Sequence, residues 1–359
     1  MIDLHSETEW DAVVCSFKDY DVYSLSGYVK AFQIHGDGEP ILFYYEDNMI
    51  RGYNVVIKRD IANDVHFTDK IEPQRWFDIT TPYGYGGWLL EGEGSISTLD
   101  KAFSKICREK NIVCEFVRFH PMWNNAYQME QMYRVVYLGH TVVMDLKDEE
   151  TIWDNIISKN RNMIRKAKKN GVTVIRGNGS EAYAAFKNMY DATMRKDNAE
   201  DYYFFEEKFY ESIRLDLAGN AQVFLAMYED KPIAGSIIIY ANGKMNYHLS
   251  GSDIRYRALA PTNLLLYEAA KWGSKNGMVT FHLGGGLGSQ EDSLFKFKRA
   301  FNKGEPKQFA IGKKIILPDV YDELNRYRSN DPASLFFPEY RRIEVKYLRE
   351  QVRQNLPEH

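Results

Sequence analysis

The sequence predicts an α/β (α+β) fold built from two similarly folded units, and two observations support this prediction. The chain has 359 residues, which is long for one domain and favours about two. In each half, the residue pattern gives the same order of elements, namely strand, loop, helix and strand. The helices are expected at 98–110 and 262–276, and the strands that follow them at 112–119 and 278–283. Repetition of one pattern favours two α/β units over a single large domain.

The other regular elements follow from the same periodicities. Two short helices around a strand-like segment at 21–23 are expected in residues 1–35. Thr98 and Asp148 are expected to cap helices, and the helix after Asp148 is expected to run without a break from 149 to 170. Further strands are expected at 41–45, 54–57, 172–176, 221–228, 233–240 and 245–249. Further helices are expected at 180–194, in a segment that ends at 218, and in the tail 316–359. The tail could pack back on the first unit.

Composition and charge exclude several classes of protein. The formal net charge of −4 and the pI near 6.1 argue against broad nucleic-acid binding, and no DNA partner is expected. The three cysteines have no CxxC spacing and the eight histidines form no HExxH motif, so neither a disulfide framework nor a metal site is expected. No apolar run approaches the ~18 residues of a membrane span, and the N-terminus lacks a signal-peptide pattern. These features predict a soluble, cytoplasmic protein.

One loop of the first half has a composition typical of ligand contact. Residues 77–88 place Tyr83 and Tyr85 among three glycines behind a proline, which predicts a shaped loop without regular structure. We expect Tyr83 and Tyr85 to contact a substrate.

The predicted helix 149–170 carries six basic residues and no acidic residue between 159 and 169. Arg161 and Arg165 are one helical turn apart, so they could clamp a phosphate together. The alternative is a solvated face that complements the helix dipole, which is the preferred interpretation for Lys166, Lys168 and Lys169.

The stretch 278–301 contains the densest signal for a site. It begins as a strand, continues through Gly284, Gly285 and Gly286, and ends in a predicted helix that carries Phe297 and Lys298. A glycine turn between a strand and a basic, aromatic helix is suited to bind an anionic or carbonyl-bearing substrate. The alternative is an ordinary loop and an amphipathic helix whose phenylalanines belong to the core.

Several short motifs together resemble one enzyme family. Phe297-Lys298-Arg299-Ala300-Phe301 is similar to an FKxxF segment, and Thr193-Met194-Arg195 is similar to a TxxR segment. With the segment 161–167 before Gly171-Val172, and Tyr28-Val29-Lys30 in an N-terminal helix, they resemble the Fem family and related FemAB-like proteins. These aminoacyl-tRNA-dependent transferases of peptidoglycan bridges consist of two GNAT-like acyltransferase domains. The resemblance spans most of the chain.

Three departures from the family pattern change what the resemblance implies. Residues 83–87 stand where the family has an Arg-Gly-Pro loop, so the acceptor can differ from a peptidoglycan precursor. No coiled-coil arm interrupts the second domain. The pyrophosphate loop of coenzyme A-dependent GNAT enzymes corresponds to 255–260, where alanine occupies both glycine positions, and this disfavours a conventional coenzyme A site.

The resemblance implies two tandem GNAT-like domains, each a mixed, mostly antiparallel sheet flanked by helices. The first would comprise 1–143 with 313–359 on the acceptor side, and the second 144–312 on the donor side. Lys298 would stabilise the oxyanion of acyl transfer. The other implied roles are stacking or acyl packing for Phe297, binding of acceptor phosphates for Lys30 and Arg195, and donor binding for Gly284, Gly285, Gly286 and Arg255. No general base is identified, although Asp253, His248 and His282 are candidates.

The leading hypothesis is therefore an acyl- or aminoacyltransferase that forms an amide on an amine of a cell-wall or surface-polysaccharide precursor. Its donor would be aminoacyl-tRNA, and its acceptor a nucleotide- or lipid-linked sugar, with peripheral access to the membrane surface. One alternative is a CoA-dependent N-acyltransferase that acts on an amino sugar, with acyl-CoA as co-substrate. Another is a GNAT-like binding module without catalysis. No tightly bound cofactor is expected.

Overall fold

The computed structural model describes residues 1–328 and 336–342. Its strands are β1 (Ile2–Asp3), β2 (Glu39–Glu46), β3 (Ile50–Asp60), β4 (Phe77–Thr80), β5 (Leu89–Gly92), β6 (Ile112–Arg118), β7 (Arg134–Asp145), β8 (Thr173–Gly177), β9 (Ala221–Tyr228), β10 (Lys231–Ala241), β11 (Lys244–Ser252), β12 (Thr280–Gly284) and β13 (Lys307–Ile315). Its helices are α1 (Glu7–Cys15), α2 (Ser26–His35), α3 (Ile96–Glu109), α4 (Asn125–Gln128), α5 (Glu149–Asn155), α6 (Ser158–Lys169), α7 (Ser180–Lys196), α8 (Glu207–Leu215), α9 (Pro261–Lys275), α10 (Ser293–Arg299) and α11 (Pro318–Arg326).

Each half contains one parallel strand pair joined by a helix. In the first half β4 and β6 are parallel and α3 lies between them in sequence, while in the second half β11 and β12 are parallel and α9 connects them. The other strand pairs of the described residues are antiparallel, including the predicted hairpin β2–β3. The repeated order of elements in the sequence therefore corresponds to a repeated strand–helix–strand unit.

The two halves share one sheet because each contributes a strand that pairs with the other half. Across the described residues the sheet has the order β1-β2-β3-β4-β6-β13-β7-β12-β11-β10-β9-β8, with β5 paired to β3. The late strand β13 thus lies in the first half beside β6, and the last residues of β7 pair with β12 in the second half. Sequence analysis missed both β7 and β13. The boundaries after 143 and 312 fall inside these strands, and the division into two domains remains a proposal.

One hydrophobic core connects the two halves. Trp10 and Phe32 from the N-terminal helices are packed in the same cluster as Phe186 and Phe209 from α7 and α8. A second core joins α9 to the sheet of the second half, and a third joins α3 to the sheet of the first half. Burial of a shared apolar surface holds the halves in contact, so groups from both can form one site.

The prediction of one continuous helix over 149–170 is wrong. Asp148 does cap a helix, by accepting a hydrogen bond from the Thr151 amide at 2.7 Å. The chain then becomes extended at Ile156 and Ile157, and the amide of Ile157 donates to the carbonyl of Ala300 at 3.1 Å. This bond to the end of α10 competes with helix continuation, which gives two helices, α5 and α6.

Smaller differences also have local causes. Ser95 rather than Thr98 caps α3, because its hydroxyl accepts from the Thr98 amide at 3.3 Å. Residues 22–24 form a 3-10 turn instead of a strand, and the segment predicted as a loop begins with β4. In the tail, α11 is helical and packs with Tyr340 against the first half. The prediction of a continuous tail helix is wrong for 336–342, where the only helical element is a 3-10 turn at Glu339–Arg341, and residues 329–335 and 343–359 lie outside the described residues.

A buried carboxyl group in the first sheet should make stability depend on pH. Glu115 on β6 is fully buried and accepts hydrogen bonds from the Asn54 amide at 2.7 Å and the Tyr133 hydroxyl at 2.6 Å. Burial raises its pKa to about 7, against 4.5 for an ordinary glutamate. Its contribution to stability is therefore fully present below pH 4.5 and is lost as the pH rises towards 7.

We expect Glu115→Gln to remove most of this pH dependence. Between pH 5 and pH 8, the wild type should lose up to about 3 kcal/mol more stability than the variant, because the variant cannot ionise. Thermal unfolding at both pH values measures the difference. Glu109→Gln, an exposed carboxyl on α3, is the control. Equal pH dependence in the wild type and Glu115→Gln would contradict the expectation.

Candidate functional site

A cavity of about 680 Å³ lies between the two halves. The first half contributes the end of α2, the loop after β4 and the end of β6, and the second half contributes β11, β12 and α10. The charged side chains of its wall, apart from histidine, are Asp37, Arg59, Arg118 and Lys298. Its three positive charges against one negative charge favour a ligand that carries negative charge.

The cavity opens where two parallel strands separate. The pairing of β11 with β12 ends at Asn246 and His282, after which β11 continues only with β10 and β12 continues with β7. Both strands have an irregular register at this point, which leaves His248 on β11 and Leu283 on β12 without a paired residue. Such bulges turn the strands apart and aim side chains into the gap.

Lys298 enters the cavity wall from α10. Asp292 caps this helix by accepting from the Phe295 amide at 2.8 Å, and the Lys298 ammonium donates to the carbonyl of Gly285 at 2.7 Å. The lysine is 9% exposed, and no carboxylate of the described residues forms an ion pair with it. Burial lowers its pKa to about 8, although the charge of Asp292 acts in the opposite direction. A buried ammonium close to neutral pH is suited to stabilise developing negative charge.

At the predicted glycine turn, the backbone approaches Lys298 closely. Gly284 has a φ of +77°, and a Cβ there would lie 3.3 Å from the Lys298 Nζ atom. A Cβ at Gly286 would lie 2.1 Å from the Gln290 carbonyl oxygen and 2.3 Å from the Asp292 carboxylate. Glycine is therefore needed at Gly286 because neighbouring atoms leave no room for a Cβ, and at Gly284 because of its positive φ and the nearby Lys298. Gly284, Gly285 and Gly286 all line the cavity, as do Lys298, Tyr83 and Tyr85 among the predicted site residues.

Tyr83 and Tyr85 form an aromatic part of the cavity wall. The Tyr83 ring stacks on Phe32 with centroids 5.4 Å apart, and its carbonyl accepts from the Tyr28 hydroxyl at 2.5 Å. The Tyr85 ring lies 5.0 Å from that of His282. These contacts fix both tyrosines before any substrate arrives.

Two of the three histidines that line the cavity, His248 and His282, are poor candidates for a general base, and the third, His35, contacts the Tyr202 carbonyl through its Nε2 atom at 2.9 Å. The Nε2 atoms of His248 and His282 are buried and have no hydrogen-bond partner in residues 1–328 and 336–342. Burial lowers the pKa of each to about 3, so both are neutral at pH 7 and would be weak acceptors of a proton. Asp253, the third candidate, lies outside the cavity wall and pairs with Arg255 at 2.6 Å.

Six of the predicted site residues lie outside the cavity. Lys30 pairs with Asp216 and Glu7, Arg255 is 80% exposed at its side chain, and Phe297 packs against Phe301. Arg195 is exposed on α7. Arg161 and Arg165 lie over Trp153, at 5.9 and 5.0 Å, beside a separate groove. The roles assigned to these residues remain predictions.

Several wall residues were not proposed from the sequence. They are Asp37, Arg59, Arg118, Tyr202, Tyr203 and Tyr247, which come from five different segments. Arg118 lies at the end of the strand predicted at 112–119 and is the last residue of β6, so its position offered a signal that was not used. The other five lack a motif, because only the arrangement of both halves brings them together.

Comparison with known proteins supports the GNAT-like fold that the sequence predicts. Residues 158–299 match the acetyltransferase (GNAT) domain family. Among solved structures, FemX is similar with a TM-score of 0.65 and 14% identity, over 89% of this chain and 98% of FemX. The C-terminal domain of a protein assigned as a lysylphosphatidylglycerol synthetase from Agrobacterium fabrum has a TM-score of 0.56 and 14% identity, over 86% and 92%. L-PGS from Bacillus licheniformis has a TM-score of 0.54 and 14% identity, over 87% and 92%. A search of curated proteins found no match.

The match of residues 158–299 to the GNAT domain family supports an acyltransferase. The predicted resemblance to Fem-like proteins is confirmed at the level of the fold, as is the prediction of mixed, mostly antiparallel sheets flanked by helices. Among the described residues, no helix is both long and apolar enough to cross a membrane.

The glycine turn yields a prediction about stability. We expect Gly286→Ala to lower the melting temperature by several degrees, because its Cβ would collide with the Gln290 carbonyl and the Asp292 cap. Gly288→Ala is the control for backbone strain in the same loop: its positive φ of 55° costs alanine some stability, but nothing lies within 4 Å of the added Cβ, so Gly286→Ala should melt lower. The account of this turn is wrong if both variants melt at the same temperature.

Proposed function

We propose that the protein transfers an aminoacyl group from aminoacyl-tRNA to an amine of a cell-wall or surface-polysaccharide precursor. The observation that carries this proposal is the buried ammonium of Lys298, which has no ion-pair partner among the described residues and lies at a glycine turn where two strands separate. An acyltransferase needs such a positive group where the carbonyl oxygen becomes an oxyanion.

The chemistry requires few groups from the protein. The acceptor amine attacks the ester carbonyl of the donor, the new C–N bond forms, and the negative charge moves to the carbonyl oxygen. Lys298 would donate a hydrogen bond to that oxygen in place of the one it now gives to Gly285. Collapse of the intermediate breaks the C–O bond to the ribose of the donor, and the amine proton passes to the departing oxygen or to solvent. We assign no general base.

The start of α9 supports a donor other than coenzyme A. GNAT enzymes that use this coenzyme cradle its pyrophosphate with backbone N–H groups ahead of the corresponding helix. In this chain Ala260 has a φ of 54° and Pro261 begins the helix, so a side chain and a residue without an N–H group occupy the approach. The lysyl product in the name of the Agrobacterium fabrum protein also favours an aminoacyl donor for a related fold.

The acceptor is proposed to be a nucleotide- or lipid-linked sugar. The positive charges of Arg118 and Lys298, which form no ion pair among the described residues, support an acceptor with phosphate or carboxylate groups. Tyr83 and Tyr85 would pack against its rings. Phosphate binding by Lys30 and Arg195 is kept as a proposal, although both lie outside the cavity wall. A lipid-linked acceptor would require peripheral access to the membrane surface.

Two other functions are kept as alternatives. The GNAT domain match supports an acyl-CoA-dependent N-acyltransferase that acts on an amino sugar. The low pKa values of His248 and His282 make both weak bases, which supports a binding module without catalysis. A thermal-shift screen against acetyl-CoA, aminoacyl-adenosine analogues and UDP-linked amino sugars separates the first two, because a ligand raises the melting temperature of the state it binds. Stabilisation by the adenosine analogues and UDP-sugars, and none by acetyl-CoA, is expected. Stabilisation by acetyl-CoA alone would overturn the proposed donor.

Substitution of the lysine tests catalysis. With a donor and acceptor from the screen, Lys298→Met should lower kcat by about 100-fold or more, because the oxyanion loses its charged donor. Acceptor binding should be retained. Lys296→Met, an exposed lysine on the same helix, should leave the rate within about twofold of the wild type. Full activity of Lys298→Met would exclude the assigned role and favour a binding module or a different site.

A further inference from the structure

Arg118 is a half-buried cation of the cavity wall without an acidic partner. Its Nε group donates to the carbonyl of Gly84 at 2.8 Å, and its guanidinium lies 5.6 Å from the Tyr85 ring and 5.1 Å from the Phe309 ring. No carboxylate in residues 1–328 and 336–342 forms an ion pair with it. The neighbouring arginine of the wall, Arg59, pairs with buried Asp78 at 2.7 Å.

The surroundings of Arg118 favour an anion at its outer N–H groups. Removing a guanidinium partly from water costs free energy unless an anion compensates the charge. The only carboxylate in the wall of the cavity, within the described part of the chain, is Asp37, which accepts from the Tyr202 hydroxyl at 2.9 Å. The Gly84 carbonyl anchors the guanidinium through its Nε group, and a planar guanidinium can present its outer N–H groups as a fork to two oxygens of an anion.

This fork lies close to the lysine of the proposed reaction. Tyr85 contacts Arg118 through its ring, and its hydroxyl is 3.8 Å from the position of a Cβ on Gly284. The same position lies 3.3 Å from the Lys298 Nζ atom. Arg118 and Lys298 therefore approach the same tyrosine from its ring and its hydroxyl end.

We infer that Arg118 binds an oxyanion of the acceptor, either a carboxylate or a phosphate, and so holds the acceptor amine near Lys298. That the ligand is an acceptor rests on the proposed function, whereas the anion site itself does not. Substrates without a negative group at this distance from the amine would be poorly positioned. Arg118 thus determines specificity for anionic acceptors.

The test measures anion binding without any donor or transfer. Inorganic pyrophosphate and succinate are titrated into the full chain by calorimetry at constant ionic strength, because added salt alone would screen the site. We expect saturable binding of at least one of them, weakened about tenfold or more in Arg118→Gln and less in Arg118→Lys, which keeps the charge without the fork. Arg75→Gln, an exposed arginine over Trp76, should bind as the wild type does.

The two probes distinguish the source of the oxyanion. Binding of pyrophosphate but not succinate identifies a phosphate group, and the reverse identifies a carboxylate. If Arg118→Gln does not fold, protection of Arg118 from phenylglyoxal by the same anions, read by mass spectrometry of the wild type, gives the answer. Absence of saturable binding, or equal affinity in Arg118→Gln, would overturn the inference whether or not the protein transfers an acyl group.

Discussion

The hydrogen bond from the Lys298 ammonium to the carbonyl of Gly285 is the interaction on which the site depends. It holds a positive charge where water is largely excluded, and several local features make this arrangement possible. The glycine turn lets the backbone approach the lysine, Asp292 fixes the helix that carries it, and the separated strands β11 and β12 leave the space in front. A side chain at Gly286 or a straight strand at β12 would remove this arrangement.

The site also depends on how the two halves are joined. Asp21 of the first half accepts hydrogen bonds from His120 at 3.1 Å and from Asn246 of β11 at 2.9 Å, in a buried network that links both halves beside the cavity. Burial alone would raise the pKa of Asp21, but the hydrogen bond and charge of His120 outweigh it and lower the pKa. The ionised carboxylate therefore stabilises the contact between the halves over the physiological pH range.

Sequence analysis found the features that depend on short residue patterns, and it missed the features that depend on how the two halves assemble. The glycine turn, Lys298 and the tyrosines of the 77–88 loop were found, because each is a short pattern with unusual composition. Strands β7 and β13 were missed, since they pair across the halves and depend on partners far away in sequence. The break at Ile157 was missed because its amide bonds to Ala300, about 140 residues later. Arg118 and Asp37 can be recognised as site residues only in the folded structure, where both halves line one cavity.

The most direct test of the central claim is the pKa of Lys298 in the intact protein. Lysine amines can be labelled by ¹³C reductive methylation, and Lys298→Arg identifies the signal. Burial without a paired carboxylate predicts a titration midpoint near the value of about 8 given by the structure. A midpoint near 10.5, the ordinary value for lysine, would show a solvated or ion-paired group. Such a result would contradict the claim that this lysine is a buried cation prepared for an oxyanion.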